Sequence, residues 1–328
     1  VYYTPFSTVV HFEGISHGTD TGGGIKAYQQ VNQDKLRERW ARELARHYPN
    51  AQNVLRARER AWDRKVALVV DHYVPQPDRD AGSRSIMSLI QGLLDSGWRV
   101  KFWPDNLWYD PAYAPALQRR GIEVIHGERR HGGFARYLQE CEGDFDAVLL
   151  SRPHIAPGYV DAVRRHAPAA RLAFYGHDLH FRRLDREAEV TGQEEPRREA
   201  RRFEALERGV WKAVDIVLYP SLEEAEDVAT LAPATHVHAV SPYAFDDFND
   251  AAMPAARQGI LFVAGFAHPP NEDAAAWLVE DVMPRVWAQV PGVAVTLVGA
   301  KPTARVRALA GAQVEVTGYV SDEELARR

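Results

Sequence analysis

Short apolar runs alternate with longer amphipathic segments along most of the chain. From Lys65 onward the apolar runs are typical of buried strands, and the segments between them are long enough for crossover helices. The predicted strands are residues 66–70, 100–103, 122–125, 147–150, 172–175, 216–218 and 237–240, and then, after an irregular segment, 260–264, 293–298 and 314–316. This alternation predicts an α/β protein built on doubly wound parallel sheets.

One stretch, residues 259–290, combines a strand, a glycine turn and an amphipathic helix. Its apolar run, residues 260–264, predicts a strand covered on both faces. Gly265 allows a turn, two prolines follow, and Asn271 is a favoured N-cap, so a helix is predicted to begin there and run to the end of the stretch. Free backbone N–H groups beside Gly265 and Phe266 then suit an anion. A capped helix start without a ligand is the alternative interpretation.

The first fifth of the chain has a different pattern. Residues 1–12 are β-rich, a glycine-bearing loop follows, and residues 25–47 predict a helix with an apolar side formed by Tyr28, Val31, Leu36, Trp40 and Leu44. The charged segment after it predicts a connector that is partly helical. The predicted organisation is therefore a small α+β remnant at residues 1–48, a linker at 49–64, and two Rossmann-like domains at 65–247 and 248–328.

Composition narrows the class of protein. A formal charge of −5 and a pI near 6.2 provide no basic field for nucleic acid, and no apolar run approaches the roughly 20 residues that span a bilayer. The lone cysteine, Cys141, excludes an intramolecular disulfide and favours a cytoplasmic location. Because the chain starts in a strand pattern and stops in a helical one, we expect it to be truncated at both ends.

Polar residues follow four of the predicted strands at their carboxyl ends, the edge where doubly wound sheets bind ligands. They are Asp71, His72, Gly82 and Ser83 after the first strand, Arg152 and His154 after the fourth, His177, Asp178, His180 and Arg182 after the fifth, and Ser221 after the sixth. Each alone is explained by a helix cap, a hydrogen-bonded pair or a surface charge. Their joint placement predicts a site.

The motifs of other nucleotide enzymes are absent. No G-x-G-x-x-G follows a predicted strand, and there is no G-x-x-x-x-G-K-[ST], which argues against a dehydrogenase and against a P-loop enzyme. Residues 65–328 instead resemble family 4 glycosyltransferases of the GT-B fold. The resemblance rests on DAGSRS, FYGHDLHFRR, AVDIVLYPSLEEAEDV, HAVSPYAFD, ILFVAGFAHPPNEDAAAWLVEDVMPRV, VTLVGAKP and VEVTGYVSDEEL.

This resemblance implies transfer of a sugar from a nucleotide diphospho-sugar, with retention of configuration and without a metal cofactor. It places His177 and Asp178 at the reacting sugar as catalytic residues. It assigns donor binding to Gly82, Ser83, Arg152, Gly265, His268, Asn271 and Lys301. The chain departs from the family where many members have Arg and Lys in the second-domain loop, since His268 and Asn271 occupy that loop here. Lys301 is either an assisting cation or an ordinary surface lysine.

The start of the chain is similar to the end of a family 2 glycosyltransferase domain of the GT-A fold. The similarity rests on His11, Gly14, Ser16 and Gly18, followed by Lys26, Tyr28, Gln29 and Asn32. In that family the histidine is often a ligand of a divalent metal, together with an Asp-x-Asp motif. Since no such motif precedes it here, His11 is a metal ligand only if the rest of that domain is present.

The leading hypothesis is a bacterial-type hexosyltransferase of surface polysaccharide biosynthesis, with a glycan or a lipid-linked acceptor. The alternatives are a non-catalytic nucleotide- or glycan-binding unit and a sugar-nucleotide epimerase of the same fold. The family's second domain also carries an E-x7-E motif that nothing after Gly318 matches. We therefore expect this chain to lack robust transferase activity, although residues 65–247 are able to fold.

One predicted helix carries a basic patch. Arg197, Arg198, Arg201 and Arg202 lie in the first half of a predicted helix over residues 194–211. Such a patch suits peripheral association with the anionic inner face of a membrane. The interleaved glutamates favour a solvated face instead.

Overall fold

The structure is a computed structural model that describes residues 10, 22–58, 62–127, 133–141, 143–243 and 258–327. In these residues seven parallel strands form one sheet and three parallel strands form a second. Each of the ten strands predicted from residue 66 onward is present, with ends shifted by up to two residues. The β-rich pattern of residues 1–12, apart from residue 10, lies outside the described residues. His11, the candidate metal ligand, lies outside the described residues.

The strands of the larger sheet alternate with helices along the chain, with two helices between the fifth and sixth strands. Its elements are β1 (Val66–Asp71), α4 (Ala81–Asp95), β2 (Arg99–Pro104), α5 (Ala114–Arg119), β3 (Glu123–Val124), α6 (Gly133–Glu140), β4 (Ala147–Ser151), α7 (Pro157–His166), β5 (Arg171–Tyr175), α8 (His180–Thr191), α9 (Glu194–Ala213), β6 (Ile216–Tyr219), α10 (Leu222–Leu231) and β7 (Val237–Ala239). Preceding them are α1 (Ala27–Arg39), α2 (Ala41–Leu44) and α3 (Val54–Arg58).

The strand order is β3-β2-β1-β4-β5-β6-β7. The chain therefore builds outward from β1 in one direction and then, from β4, in the other. In such sheets ligands bind beside the point where the order reverses, outside the carboxyl ends of the strands. That point lies between β1 and β4.

Two buried clusters cover the faces of this sheet. One contains Trp103, Tyr137, Trp211 and Tyr219, and the other packs α4 onto the opposite face through Ile86 and Ile90. All six residues of β1 are buried, which agrees with the near-continuous apolar run expected of a strand covered on both faces.

The smaller sheet has the order β10-β9-β8 and contains β8 (Ile260–Val263), β9 (Val295–Val298) and β10 (Val314–Gly318). Its helices are α11 (Pro269–Trp277), α12 (Met283–Gln289), α13 (Ala304–Ala308) and α14 (Asp322–Arg327), with a π-helical segment, Leu278–Val282, joining α11 to α12. Phe266, Met283 and Leu297 are fully buried in its core.

Three details of the prediction for residues 259–290 are wrong. β8 is not covered on both faces, because Leu261 and Val263 alternate onto a face where they stay 41% and 53% exposed. The helix begins at Pro269 rather than Asn271, with His268 as the N-cap residue. The helix is not one continuous α-helix, because the π-helical segment Leu278–Val282 interrupts it, and Val290, the C-cap residue, is 55% exposed.

The predicted helix over residues 25–47 is also broken. A 3-10 turn precedes α1, and Trp40 separates α1 from α2. The apolar side chains that were expected to pack are all exposed, and α1 has no buried residue. The connector docks onto the larger sheet unit through Arg56, which donates to the carbonyl of Gly143 and to Asp146.

The basic patch on α9 is paired within its own helix. Arg197, Arg198 and Arg202 each contact the glutamate three residues earlier. This arrangement agrees with the solvated-face interpretation. No helix in the described part of the chain has the length and apolar character needed to cross a membrane.

Candidate active site

A buried ion pair bridges the point where the strand order reverses. Asp71 is the last residue of β1 and is 1% exposed, and Arg152 directly follows β4. The Nε of Arg152 donates to Oδ1 of Asp71 at 2.7 Å. Because a buried carboxylate needs a partner, this pair fixes both strand ends relative to each other.

Arg152 has a second, uncommitted face. Its backbone is left-handed, with φ of 71°, and its Nη2 is buried without a hydrogen-bond partner among the described residues. Nη2 lies 2.7 Å from the position that a Cβ on Gly82 would take. The guanidinium thus lies against the first turn of α4, and a Cβ on Gly82 would displace it. A cation beside a helix N-terminus is a favourable place for an anion.

Asp80 caps the same helix. Its Oδ1 accepts from the backbone N–H of Ser83 at 2.7 Å, and its Oδ2 accepts from the hydroxyls of Ser83 and Tyr73, each also at 2.7 Å. Ser83, a predicted donor-binding residue, is thus buried in the helix cap. Sequence reasoning missed Asp80, although an aspartate directly before a helix is the usual signal of an N-cap.

His177 lies between this helix and β4. It follows β5 with a left-handed φ of 64°, and its Nε2 is 2.6 Å from Oγ of the buried Ser151. Its Nδ1 lies 3.3 Å from the position of a Cβ on Gly82. Burial, reinforced by the charge of Arg152, lowers the pKa of His177 to about 3. The imidazole is therefore neutral near pH 7, able to donate from one ring nitrogen and accept at the other.

Two neighbouring histidines share this environment. Burial lowers the pKa of His72 to about 4, and burial together with the charge of His180 lowers that of His154. The Nε2 of His72 is buried without a hydrogen-bond partner among the described residues. The structure thus brings the polar ends of β1, β4 and β5 together, as the sequence predicts.

The side chain of Asp178 binds residues of α8. Its carboxylate accepts from Nδ1 of His180 at 2.5 Å and from Nε of Arg183 at 2.9 Å. Burial acts to raise the pKa of Asp178, but the hydrogen bond and charge of His180 and the charge of Arg183 outweigh burial and lower the pKa to about 2. The same bond raises the pKa of His180 against the effect of its burial.

The loop of the second sheet has fewer available donors than the sequence predicts. Pro269 and Pro270 have no N–H, and the N–H groups of Asn271 and Glu272 both donate to the carbonyl of His268. The N–H of Phe266 donates to Ala300, and its side chain is fully buried. The N–H groups of Phe266, Asn271 and Glu272 are therefore bound to carbonyl groups rather than free for an anion.

The predicted donor-binding residues of the second unit differ in their contacts and exposure. The side-chain amide of Asn271 donates to the carbonyl of Gly265 at 3.0 Å, so it closes the loop on itself. His268 faces the first sheet unit: burial and then the charge of Arg183 lower its pKa. Lys301 is exposed and has a left-handed φ of 54°.

A cleft of about 1220 Å³ separates the two sheet units at this point. Its walls are α8 and α11, and its lining includes Arg183, Glu187, Pro269, Asp273 and Trp277. Arg79 lies over the ring of Tyr319 at 5.5 Å, which is a contact between the two units. Among the residues described, no three His, Cys, Asp or Glu side chains are grouped to hold a metal ion.

The sequence matches no protein-family model, and no curated protein matches it. Among solved structures, the chain is similar to TarM, with a TM-score of 0.57 and 9% identity over 80% of this chain and 78% of TarM. It also aligns with S. aureus MnaA bound to UDP, with a TM-score of 0.43 and 11% identity over 80% of this chain and 71% of MnaA. The match to TarM, together with the two parallel sheets, shows that the chain has an α/β fold of the GT-B type, with Rossmann-like units.

Proposed function

We propose that this chain is the GT-B part of a glycosyltransferase that uses a nucleotide diphospho-sugar donor. The observation that carries the proposal is the contact of Arg152 and His177 with Gly82 at the first turn of α4. These groups come from three separate strand ends, and their free atoms converge on one point. Gly82 and His177 lie in motifs that resemble family 4 glycosyltransferases, whereas Arg152 lies outside those motifs.

The proposed chemistry follows from the charges. Breaking the bond between the sugar and the diphosphate leaves negative charge on the diphosphate, which the α4 N-terminus and Nη2 of Arg152 stabilise. His177 is neutral, so its Nδ1 hydrogen-bonds a sugar hydroxyl without repelling the positive charge that develops on the sugar ring. Asp178 holds α8 through His180 and Arg183. We also propose that this module transfers a hexosyl group with retention of configuration and without a metal cofactor.

We propose an acceptor and a cellular location for the reaction as well. A glycan or lipid-linked acceptor would enter the cleft between α8 and α11, from the cytoplasmic side of a bacterial membrane where surface polysaccharides are assembled. We also propose that His268 and Lys301 of the second unit bind the donor. The His11 metal site is proposed only for a protein that contains the remainder of a GT-A domain.

A thermal-shift screen against UDP-, GDP- and dTDP-sugars tests donor binding. We expect one nucleotide class to raise the Tm, because a ligand that binds only the folded state stabilises it. Gly82→Ala should abolish the shift, since its Cβ would lie 2.7 Å from Arg152 Nη2. Gly92→Ala, in the same helix with open space around it, is the matched control. No shift with any donor, or an equal shift in Gly82→Ala, would overturn the proposal.

One observation favours a second candidate, a nucleotide-binding unit without catalysis. The loop at residues 265–271 contains no arginine or lysine, and Asn271 is committed to the carbonyl of Gly265. Without a cation there, the leaving diphosphate receives less stabilisation from the second unit. Donor hydrolysis separates the candidates: binding with no release of nucleoside diphosphate supports the non-catalytic unit.

A further inference from the structure

Glu207 is fully buried in the middle of α9, a helix whose outer side is otherwise charged and exposed. Its Oε1 accepts from the backbone N–H of His180 and its Oε2 from that of Phe181, each at 3.2 Å. These are donors of the first turn of α8, which have no partners within their own helix. Burying a carboxyl group is costly unless it is hydrogen-bonded. Glu207 makes these hydrogen bonds to the start of α8 and so ties α8 to α9.

Glu224, on α10, holds the preceding amide. Its Oε1 accepts from the N–H of Leu179 at 3.0 Å, and the hydroxyl of Ser221 donates to its Oε2 at 2.9 Å. Three consecutive amides, residues 179–181, are thus bound by carboxyl groups from two other helices. The segment begins two residues after His177.

The usual local cap of α8 is missing. The N-cap residue is Leu179, which has no polar side chain, and the carboxylate of Asp178 is bonded to the side chains of His180 and Arg183. Glu207 and Glu224 therefore accept the amide hydrogen bonds that a serine or aspartate at the N-cap normally accepts. The start of α8 is tied to α9 and α10 rather than being free to move with its own loop.

Tyr219 connects this arrangement to the turn before His177. Its hydroxyl donates to Oε1 of Glu207 at 3.2 Å and accepts from Nε1 of Trp211 at 3.2 Å. Its ring lies so close under Gly176 that a Cβ there would be 2.2 Å from it. The turn at residues 176–181 is therefore held at both of its ends.

We propose that Glu207 and Glu224 are positioning residues that hold the backbone of residues 179–181 and thereby keep His177 left-handed, against Ser151 and facing Gly82. The two carboxyl groups act through the backbone and touch no substrate. This inference rests on the proposed function in one respect, which is that His177 faces the sugar donor. We call these contacts of Glu207 and Glu224 with residues 179–181 the clamp. The clamp exists in the unliganded protein and is measurable there.

The test compares Glu207→Gln and Glu224→Gln with Asp215→Asn in the full chain. Gln keeps the size of the side chain but places an amide N–H₂ where one backbone N–H needs an acceptor. Asp215 is the matched control, because its Oδ2 also accepts a backbone N–H, that of Leu172 at 2.7 Å, but at the opposite end of β5. Hydrogen exchange of residues 176–183 should accelerate at least tenfold in the two Gln variants and not in Asp215→Asn.

The second readout is the titration of His177, followed by NMR with ¹⁵N-labelled histidine and assigned by its absence in His177→Gln. The charged groups that face its ring are Arg152, Asp71, Asp178 and His180. Release of the turn would expose the ring and move its pKa from about 3 toward the ordinary value of 6.5, a shift of at least one pH unit. A merely structural loss of stability leaves this titration unchanged in the folded protein.

Unchanged exchange and an unchanged His177 titration in both Gln variants would overturn the clamp, as would equal changes in Asp215→Asn. If Glu207→Gln does not fold, Glu224→Gln decides, because Glu224 is only partly buried. Both readouts use the protein without nucleotide. Failure of the clamp is therefore distinguishable from failure of the proposed function, which shows as loss of donor binding in the wild type.

Discussion

Two strand-to-helix turns, one after β5 and one after β8, satisfy their backbone groups in opposite ways. In the first, residues 175–181, remote carboxyl groups on α9 and α10 bind the amides at the start of α8. In the second, residues 263–271, two prolines remove donors and the remaining amides of the first helical turn bind within the loop itself. The first turn depends on tertiary contacts, and the second is largely local.

This difference between the turns supports the proposal that the donor sugar binds beside His177, at the first turn. Because distant residues hold the first turn, His177 adopts a left-handed conformation and keeps one ring nitrogen directed toward Gly82. Strained backbone of this kind persists only where the surroundings over-determine it. In the second turn the N–H groups of Asn271 and Glu272 and the side-chain amide of Asn271 bind carbonyl groups of the same loop, so His268 is the side chain there that we propose for donor binding. The following predictions test this contrast.

The largest effect is expected where a buried charge loses its partner. Arg152→Ala leaves the carboxylate of Asp71 unpaired and should lower the free energy of unfolding by about 3–5 kcal/mol. In the second unit, Arg305 and Asp273 lie 3.9 Å apart with both side chains more than half exposed. Arg305→Ala should change stability by less than about 0.5 kcal/mol. Urea unfolding followed by circular dichroism measures both, and equal losses would contradict the contrast.

A pair of glycine substitutions gives the next largest difference. Gly176→Ala places a Cβ 2.2 Å from the ring of Tyr219, so we expect a loss of about 1–3 kcal/mol from overpacking. Gly265→Ala meets nothing within 4 Å and its backbone is not left-handed. Its effect on stability should be within about 0.5 kcal/mol. A Gly265→Ala variant as unstable as Gly176→Ala would show that the second turn is also tightly packed.

The pH dependence of stability should report Glu207. Burial raises its pKa to about 7, from an ordinary value of 4.5. The folded state then binds more protons than the unfolded state between these values, so this contribution to stability is complete below pH 4.5 and is lost as pH rises through 7. The slope is at most about 1.4 kcal/mol per pH unit. Glu207→Gln should flatten the curve in this window, and an unchanged slope would refute the raised pKa.

The smallest effect on folding, but a functional one, is expected for His177. Its truncation removes one hydrogen bond to Ser151, so His177→Ala should retain stability within about 1 kcal/mol. Donor hydrolysis should fall at least about tenfold, because a contact made to the reacting sugar is lost. His268→Ala, at the second turn, should reduce hydrolysis less. A large loss of stability with unchanged hydrolysis would make His177 a structural residue.

Sequence reasoning predicted the strands well because parallel strands buried on both faces need continuous apolar runs. The same logic failed at β8, where Leu261 and Val263 belong to an apolar run yet remain exposed. Hydrophobicity alone does not state how many faces of a strand are covered. It failed again at α1, where an apolar stripe has no buried residue.

The candidate site was predicted in part. Strand ends pointed to Arg152, His177 and Asp178, since the carboxyl edge of a parallel sheet gathers polar residues. Their roles did not follow from the sequence: Asp178 binds α8 residues, and Ser83 is buried in a cap. Glu207 and Glu224 were missed, because each lies on a helix far along the chain where a glutamate ordinarily faces solvent.

What the sequence by itself determined is therefore the order and type of the elements, and the edge of the sheet at which polar residues collect. These follow from local periodicity and from strand polarity, which a linear pattern records. Only the tertiary structure decided which polar atoms are satisfied. The unpaired Nη2 of Arg152, the left-handed turn at His177 and the carboxyl groups beneath it depend on residues tens of positions apart, and hydrogen bonds between such residues leave no periodic trace in the chain.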